Sequence, residues 1–316
     1  MTADTVDLTV RQMRVESAGV VSLRLEHPDG AAVDRWTPGA HLDLHLGGGL
    51  VRQYSLCGDP DDKTGYRVAV LHERAGRGGS RRVHETLRPG DSVAVSAPRN
   101  NFELIPSPRY VFIAGGIGIT PILAMIGEAE RSGATWELHY GGRDRTTMAF
   151  VDELERYGDR VHIVTENVDG ILDLATLLGA AEPDTLVYAC GPDGLLTAIE
   201  SYSEAWPEGA IRLERFKAKE RVADAGGDAP FRVVCEQSGV SATVSPEKTI
   251  LETLEESGVN VPNSCREGIC GTCETRVLCG APDHRDSLLT ASEQESGATI
   301  MLCVSRARSD ELVLDL

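Results

Sequence analysis

Between residues 6 and 100, apolar and polar positions alternate in short runs broken by glycine and proline. VDLTVRQMRV, VVSLRLEH, HLDLHL, VRQYSLCG, YRVAVLHE and DSVAVSAP each show short apolar runs or the two-residue period of a half-buried strand. The breaks fall at His27-Pro28-Asp29-Gly30, Thr37-Pro38-Gly39, Gly47-Gly48-Gly49 and Arg88-Pro89-Gly90-Asp91. Six strands at this spacing predict a closed antiparallel barrel, with a single helix over residues 80–87.

The pattern changes at Tyr110. The apolar runs YVFIAGG, TWELHYGG, VHIVTE, TLVYACGP and IRLERF now alternate with the helical stretches ILAMIGEAERSG, TMAFVDELERYG, DLATLLG and DGLLTAIESYSEAW. Such β-α alternation predicts a parallel sheet with helices on both faces. Residues 217–229, KAKERVADAGGDA, are charged and lack an apolar face, which predicts a linker reaching about 20 Å between its ends. Beyond it, FRVVCEQ and SATVSP read as a hairpin and residues 249–257 as a helix closed by Gly258. ETRVLCG, TIMLCVSRA and ELVLDL complete a small α+β domain. The predicted organisation is therefore multidomain: 1–106, 107–216, a linker over 217–229, and 230–316.

Cysteine spacing adds chemistry to the last of these. Cys265-x4-Cys270-x2-Cys273, with Cys303 thirty positions later, is the plant-type ferredoxin arrangement for a 2Fe–2S cluster held by four thiolates. Gly268 and Gly271 let the loop curl around an inorganic core. Four sulfur ligands also suit zinc, but zinc sites usually pair two short CxxC units, and here only Cys270 and Cys273 are so spaced. Of the eight cysteines, Cys57, Cys190, Cys235 and Cys279 stand outside the pattern; Cys235 reads as core, and Cys279 lies six residues past the third ligand.

Charge narrows the partners. The net charge is −18, which argues against nucleic acid. Residues 1–110 hold 14 basic and 14 acidic side chains, residues 111–229 hold 10 and 21, and residues 230–316 hold 7 and 14. The acidic cluster segment would steer a basic redox partner towards it, or simply keep the chain soluble. No apolar run is long enough to cross a bilayer, and MTADTVDLTV is not a secretory signal, so a cytoplasmic protein is the expectation.

Four more stretches could hold a ligand. Arg52-Gln53-Tyr54-Ser55 lies on a predicted strand, with Arg52 and Tyr54 on one face, where a guanidinium and a ring can grip a phosphate and cover a flat heterocycle. Gly76-Arg77-Gly78-Gly79-Ser80 precedes the predicted helix; Ser80 could cap it and free N–H groups attract a phosphate, or the segment is a hairpin tip. Gly115-Gly116-Ile117-Gly118-Ile119-Thr120-Pro121 follows the first strand of the parallel sheet and suits a pyrophosphate. It departs from the full G-x-G-x-x-G pattern at Pro121. Cys190-Gly191-Pro192 ends the fourth strand, where a cleft would lie.

An Arg-x-Tyr-Ser barrel, a GGxGxTP sheet with CGP, and a C-terminal plant-type ferredoxin, in that order, resemble the phthalate dioxygenase reductase family within the ferredoxin-NADP reductase superfamily. The resemblance covers residues 6–316. It implies an antiparallel β-barrel flavin domain binding FMN, an α/β nucleotide domain binding NADH, and a β-grasp ferredoxin domain. By the same resemblance Arg52, Gly78, Gly79 and Ser80 hold the FMN phosphate, Tyr54 lies against the isoalloxazine, and Ser55 sits near its N5. Gly115, Gly116, Gly118, Thr120 and Pro121 hold NADH, with Thr120, Cys190 and Gly191 near the nicotinamide. Glu214 and Phe216 match the family's acidic-x-aromatic ending, Phe216 covering the flavin. Arg143-Asp144-Arg145 is ambiguous between NADPH and NADH, and NADH is favoured.

The function so implied is electron transfer from NADH through FMN and 2Fe–2S to a separate terminal oxygenase. That acceptor is a Rieske-type dioxygenase or O-demethylase first and a cytochrome P450 second. No side chain is expected to act as general acid or base in the hydride step, and a monomer is expected. The rivals are an NADPH-dependent enzyme, a redox sensor without turnover, and a flavin reductase whose last domain holds zinc.

Overall fold

The computed structural model describes residues 5–219 and 228–316, so most of the predicted linker lies outside the described residues. The chain divides into two compact units, one up to Arg215 and one from Phe216 onward.

In the first unit, β1 (Thr5–Ser17), β2 (Val20–Glu26), β3 (Ala40–His45), β4 (Val51–Ser55), β5 (Tyr66–Leu71), β6 (Ser92–Ser96) and the short β7 (Arg99–Asn100) form one antiparallel sheet. The spatial order is β4-β3-β6-β1-β2-β5, with β7 on β3. Leu8, Val10, Leu23, Leu25, Leu42, Leu44, Val68 and Val70 are fully buried, two residues apart along their strands, as a single inward face requires. The closed barrel expected from the sequence is not formed. The sheet's two ends meet only through the Leu56–Val68 bridge and the Cys57 N–H donating to the Arg67 carbonyl at 2.9 Å. Beyond Cys57 the chain enters Gly58-Asp59-Pro60, and a proline has no N–H to extend a ladder. The helix α1 spans Gly79–Glu85, a residue earlier at its start than predicted and two shorter at its end.

The same unit continues into a second sheet. Strands β8 (Arg109–Gly115), β9 (Thr135–Gly142), β10 (Val161–Thr165), β11 (Thr185–Cys190) and β12 (Ile211–Glu214) are all parallel, in the order β10-β9-β8-β11-β12. The helices are α2 (Ile119–Ser132), α3 (Val151–Leu154), α4 (Leu174–Leu178) and α5 (Asp193–Glu200). One face of the sheet packs Phe112, Leu138, Tyr140 and Tyr188 with Ile122, Met125 and Ile126 of α2. The other packs Val111, Ile113, Val187 and Ala189 with Leu178 of α4 and Leu196 and Ile199 of α5. The helix expected over TMAFVDELERYG is broken: α3 covers one turn and passes into a 3-10 stretch where Gly158 takes φ 62°.

The second unit carries β13 (Phe231–Cys235), β14 (Ser241–Val244), α6 (Ile250–Glu256), β15 (Glu274–Cys279), β16 (Pro282–Asp283), α7 (Ala291–Ser296), β17 (Thr299–Met301), β18 (Arg306–Ala307) and β19 (Glu311–Leu314). Its sheet runs β14-β13-β19-β15-β17, with β13 and β19 parallel and β16 paired separately with β18. Thr249 caps α6 through a reciprocal capping box with Glu252, and Ile250, Leu251 and Leu254 are buried beneath it. The strand expected over TIMLCVSRA ends at Met301, which places Cys303 in a turn. Among the described residues, no helix is long and apolar enough to cross a membrane.

Candidate functional site

Four sulfurs converge in the second unit. Cys265, Cys270 and Cys273 lie in the loop before β15, and Cys303 in the turn after β17; β15 and β17 pair directly, which brings the two segments together. Cys270, Cys273 and Cys303 are nearly fully buried. The Sγ of Cys265 is within hydrogen-bond reach of those of Cys270 and Cys303, and these neighbours favour its thiolate, holding it below the usual thiol range. Cys303, facing Cys265 and Cys273, is pushed up. Four sulfurs brought this close together are the donor set of a metal–sulfur centre. The backbone fits it too. Gly268 and Gly271 have φ of 70° and 73°, and a Cβ on Gly268 would come within 2.6 Å of Val304. The Glu267 N–H donates to Cys265 Sγ at 3.3 Å, as backbone amides do around cluster sulfurs. Asp286, unnoticed in the sequence, closes this loop from outside. Its Oδ2 accepts from the N–H groups of Leu288 and Leu289, and the Ser287 N–H donates to the Gly268 carbonyl. Cys279 is exposed at the far end of β15, about 20 Å along the strand from Cys273. Cys235 is fully buried in the core.

In the first unit, the parallel sheet changes direction of growth between β8 and β11, and ligands of such sheets bind outside the strand ends at that point. Two turns meet there. Gly118 approaches the end of β11 so closely that a Cβ would sit 2.2 Å from the Cys190 carbonyl oxygen, and a Cβ on Gly191 would sit 3.0 Å from Gly115 Cα. Gly116, at φ 52°, has open space where a side chain would be. The start of α2 has no acidic residue and no side-chain cap, but the 3-10 turn before it already takes the Ile119 N–H, which donates to the Gly116 and Ile117 carbonyls. Pro121 is the third residue of α2 rather than its first, still within the turn where a missing N–H costs nothing. Thr120 is buried, its hydroxyl donating to the Ile117 carbonyl at 3.0 Å.

Cys190 and Glu214 end adjacent strands in direct register, with Sγ 4.0 Å from Oε2. Glu214 is half-buried, and the loss of solvent around its carboxyl pushes it up to about 8. Burial also pushes the Cys190 thiol well up, so the thiol is neutral at pH 7 and the carboxyl beside it holds its proton to higher pH than an exposed one. The next residue, Arg215, is buried and pairs with Asp193 and with Glu200 at 2.9 Å, pinning the strand end to α5. Phe216 follows and is exposed.

On the antiparallel sheet, Arg52 and Tyr54 of β4 share a face, as predicted from alternation. Arg52 folds over the start of α1. Its guanidinium donates to the Val51 and Arg77 carbonyls at 2.7 and 2.9 Å, and a Cβ on Gly79 would lie 2.4 Å from its Cγ. Gly78 takes φ 89° ahead of α1. Ser80 does not cap this helix; its hydroxyl instead meets the Glu73 backbone, accepting from that N–H at 3.0 Å. Tyr54 is mostly buried, which pushes its phenol up to about 12. Ser55 is buried at the end of β4.

At the end of β9, the Asp144 carboxylate accepts from the Thr146 N–H and hydroxyl, and these bonds hold its pKa below the usual range. Arg145 pairs with Glu155 at 2.6 Å, while Arg143 has no ion-pair partner among the described residues.

A parallel nucleotide-type sheet, a glycine-shaped anion cradle and four converging thiols define a multidomain oxidoreductase of the flavin- and nucleotide-binding kind with an iron–sulfur domain. Residues 233–308 match the 2Fe-2S iron-sulfur cluster binding domain. The chain is 39% identical over 318 residues to the vanillate O-demethylase oxidoreductase of Pseudomonas sp. (strain HR199 / DSM 7063), covering 98% of this chain and 100% of that one. The solved structure of phthalate dioxygenase reductase, described as modular for electron transfer from pyridine nucleotides to [2Fe-2S], is 36% identical. It matches with a TM-score of 0.73 over 99% of this chain and 98% of its own. An intact type IV self-sufficient cytochrome P450 monooxygenase matches at 40% identity and a TM-score of 0.92; 99% of this chain is covered, but only 41% of that longer one. The chain belongs to the phthalate dioxygenase reductase family.

Proposed function

We propose that this protein takes electron pairs from NADH, passes them through FMN to a 2Fe–2S cluster, and delivers them singly to a separate terminal oxygenase. The observation that carries the proposal is the convergence of Cys265, Cys270, Cys273 and Cys303 on a chain that also presents an open anion cradle at the β8–β11 switch. When bound, the flavin converts between two-electron and one-electron transfer, and the cluster carries single electrons.

The chain's own residues bind, orient and shield. The amides of Gly116 and Gly118 and the start of α2 receive a pyrophosphate, and Thr120 sits at the floor of the same turn. Cys190 and Gly191 close the opposite wall beside the nicotinamide. The Cys190 thiol, kept protonated by burial, puts no charge beside the nicotinamide, and neither it nor Glu214 is needed as a base in the hydride step. Arg52, Gly78, Gly79 and Ser80 line the place for the flavin phosphate, and Tyr54 and Ser55 the ring. The short Gly76–Ser80 turn supports FMN over FAD, which needs room for an adenosine.

NADH is preferred over NADPH because the ionised Asp144 at the end of β9 repels a 2′-phosphate. Arg143 is the one neighbour that would favour NADPH. The full-length match to the O-demethylase oxidoreductase supports a separate Rieske-type partner; the P450 fusion supports a P450 as the second choice.

The test is an absorbance spectrum of purified protein with iron, sulfide and flavin quantified, followed by steady-state cytochrome c reduction with NADH and NADPH. Two irons, two sulfides and one FMN per chain, with repeated turnover on NADH, are the expected result. Zinc in place of iron, or a single bleaching without turnover, overturns the proposal.

A further inference from the structure

A second cluster of ligating side chains lies away from both sites, on the outer strands of the parallel sheet. Glu137 and His139 are two residues apart on β9 and therefore share a face. His162 on the edge strand β10 is the direct register partner of His139. The two imidazoles stack with centroids 4.6 Å apart and planes 16° from parallel. One oxygen of Glu137, Oε2, lies 3.4 Å from His139 Nε2 and 3.9 Å from His162 Nε2. All three ligand atoms fall within 4.8 Å of one another.

The arrangement has a donor to spare. His139 Nε2 is enclosed by protein yet makes no hydrogen bond, despite the carboxylate oxygen beside it. The other carboxylate oxygen, Oε1, is 3.4 Å from Arg109, which also pairs with Glu182 at 3.0 Å. Arg109 therefore fixes the carboxylate with Oε2 turned to the histidines, while Glu182 offsets its charge. Ligand atoms around a tetrahedral ion with bonds near 2.0–2.2 Å sit about 3.3 Å apart. The Glu137–His139 separation already has that value; His162, with side-chain exposure of 46% and 3.9 Å from the carboxylate, must turn out of its stack on His139 to aim its lone pair at the same ion.

We propose that Glu137, His139 and His162 form a three-ligand site for a divalent transition-metal ion of the zinc class, with water completing the shell from the exposed His162 side. Two imidazoles and one carboxylate select such ions over magnesium or calcium, which prefer all-oxygen shells. The ion would clamp the edge strand β10 to β9, so its bound form resists unfolding of this sheet.

The test uses the full-length protein with its cluster and flavin in place, stripped of loosely held metal by chelating resin and titrated calorimetrically with zinc chloride at neutral pH. One saturable equivalent is expected, with the visible cluster absorbance unchanged and the melting temperature raised. His162→Ala, at an exposed position, and Glu137→Gln should each weaken binding at least about tenfold and lose the zinc-dependent rise in melting temperature. Three results overturn the proposal: no saturable uptake, uptake equal in His162→Ala and the parent, or uptake that bleaches the cluster band.

Discussion

Glu214 carries the most perturbed carboxyl of the parallel sheet, and its consequence can be measured. Its folded pKa of about 8 lies above the ordinary 4.5, so between those values the folded chain holds a proton that the unfolded chain has released. Stability contributed by the neutral acid is complete below pH 4.5 and is lost as pH rises through 8, at most roughly 1.4 kcal/mol per pH unit. Glu214→Gln keeps the shape and removes the titration. The melting temperature of the variant should gain on the parent steadily from pH 5 to pH 8. A difference that stays constant over that range counts against a buried neutral carboxyl. The sequence gives Glu214 only as an acidic residue near a strand end; its burial depends on Cys190 lying beside it across two parallel strands, 24 positions away.

At the scale of elements, the turn between β8 and α2 is shaped by close approach of backbones. Gly118→Ala would drive a methyl into the Cys190 carbonyl, where neither partner is a flexible side chain. A loss of about 2 kcal/mol or more in chemical unfolding is expected, together with weakened NADH binding. Gly127 provides the contrast within α2, since its nearest neighbour is the tip of Arg131 at 3.8 Å. Gly127→Ala should stabilise by about 0.5–1 kcal/mol and leave binding unchanged. Equal effects of the two substitutions would argue against the turn as a packed anion cradle.

Element types were largely legible because periods of two and of 3.6 residues announce themselves locally. Three features were not. The helix expected over TMAFVDELERYG starts only after Phe150, at φ 63°, and is interrupted at Gly158, the strand over TIMLCVSRA is cut short by the turn that presents Cys303, and the barrel stays open beyond the Leu56–Val68 bridge. Glu137-x-His139 was readable as a same-face pair, but nothing local marks His162 as its neighbour, since strand register decides that.

Taken as a whole molecule, the chain separates the entry of electrons from their exit. Cys270→Ser removes one of the four converging sulfurs without touching the first unit. It should abolish NADH-driven cytochrome c reduction, by at least about a hundredfold, while sparing ferricyanide reduction, which the flavin supports directly. Equal loss of both activities would contradict a separate flavin site. Residues 230–316 carry 7 basic and 14 acidic side chains, so delivery to a basic acceptor should slow as salt rises from low to physiological ionic strength. A rate indifferent to salt would leave the acidity with no role in docking.

The order of modules, the four-cysteine spacing and the glycine-rich turn could be read from the chain alone. Each rests on short-range spacing, and a four-cysteine pattern or a strand–turn–helix needs no distant partner to be recognised. Only the tertiary structure decided that the sheet stays open, that Cys190 meets Glu214 across two strand ends, and that two histidines from different strands face one carboxylate. Those outcomes depend on strand order and register, which are set by the packing of whole faces and leave no local mark on the residues they bring together.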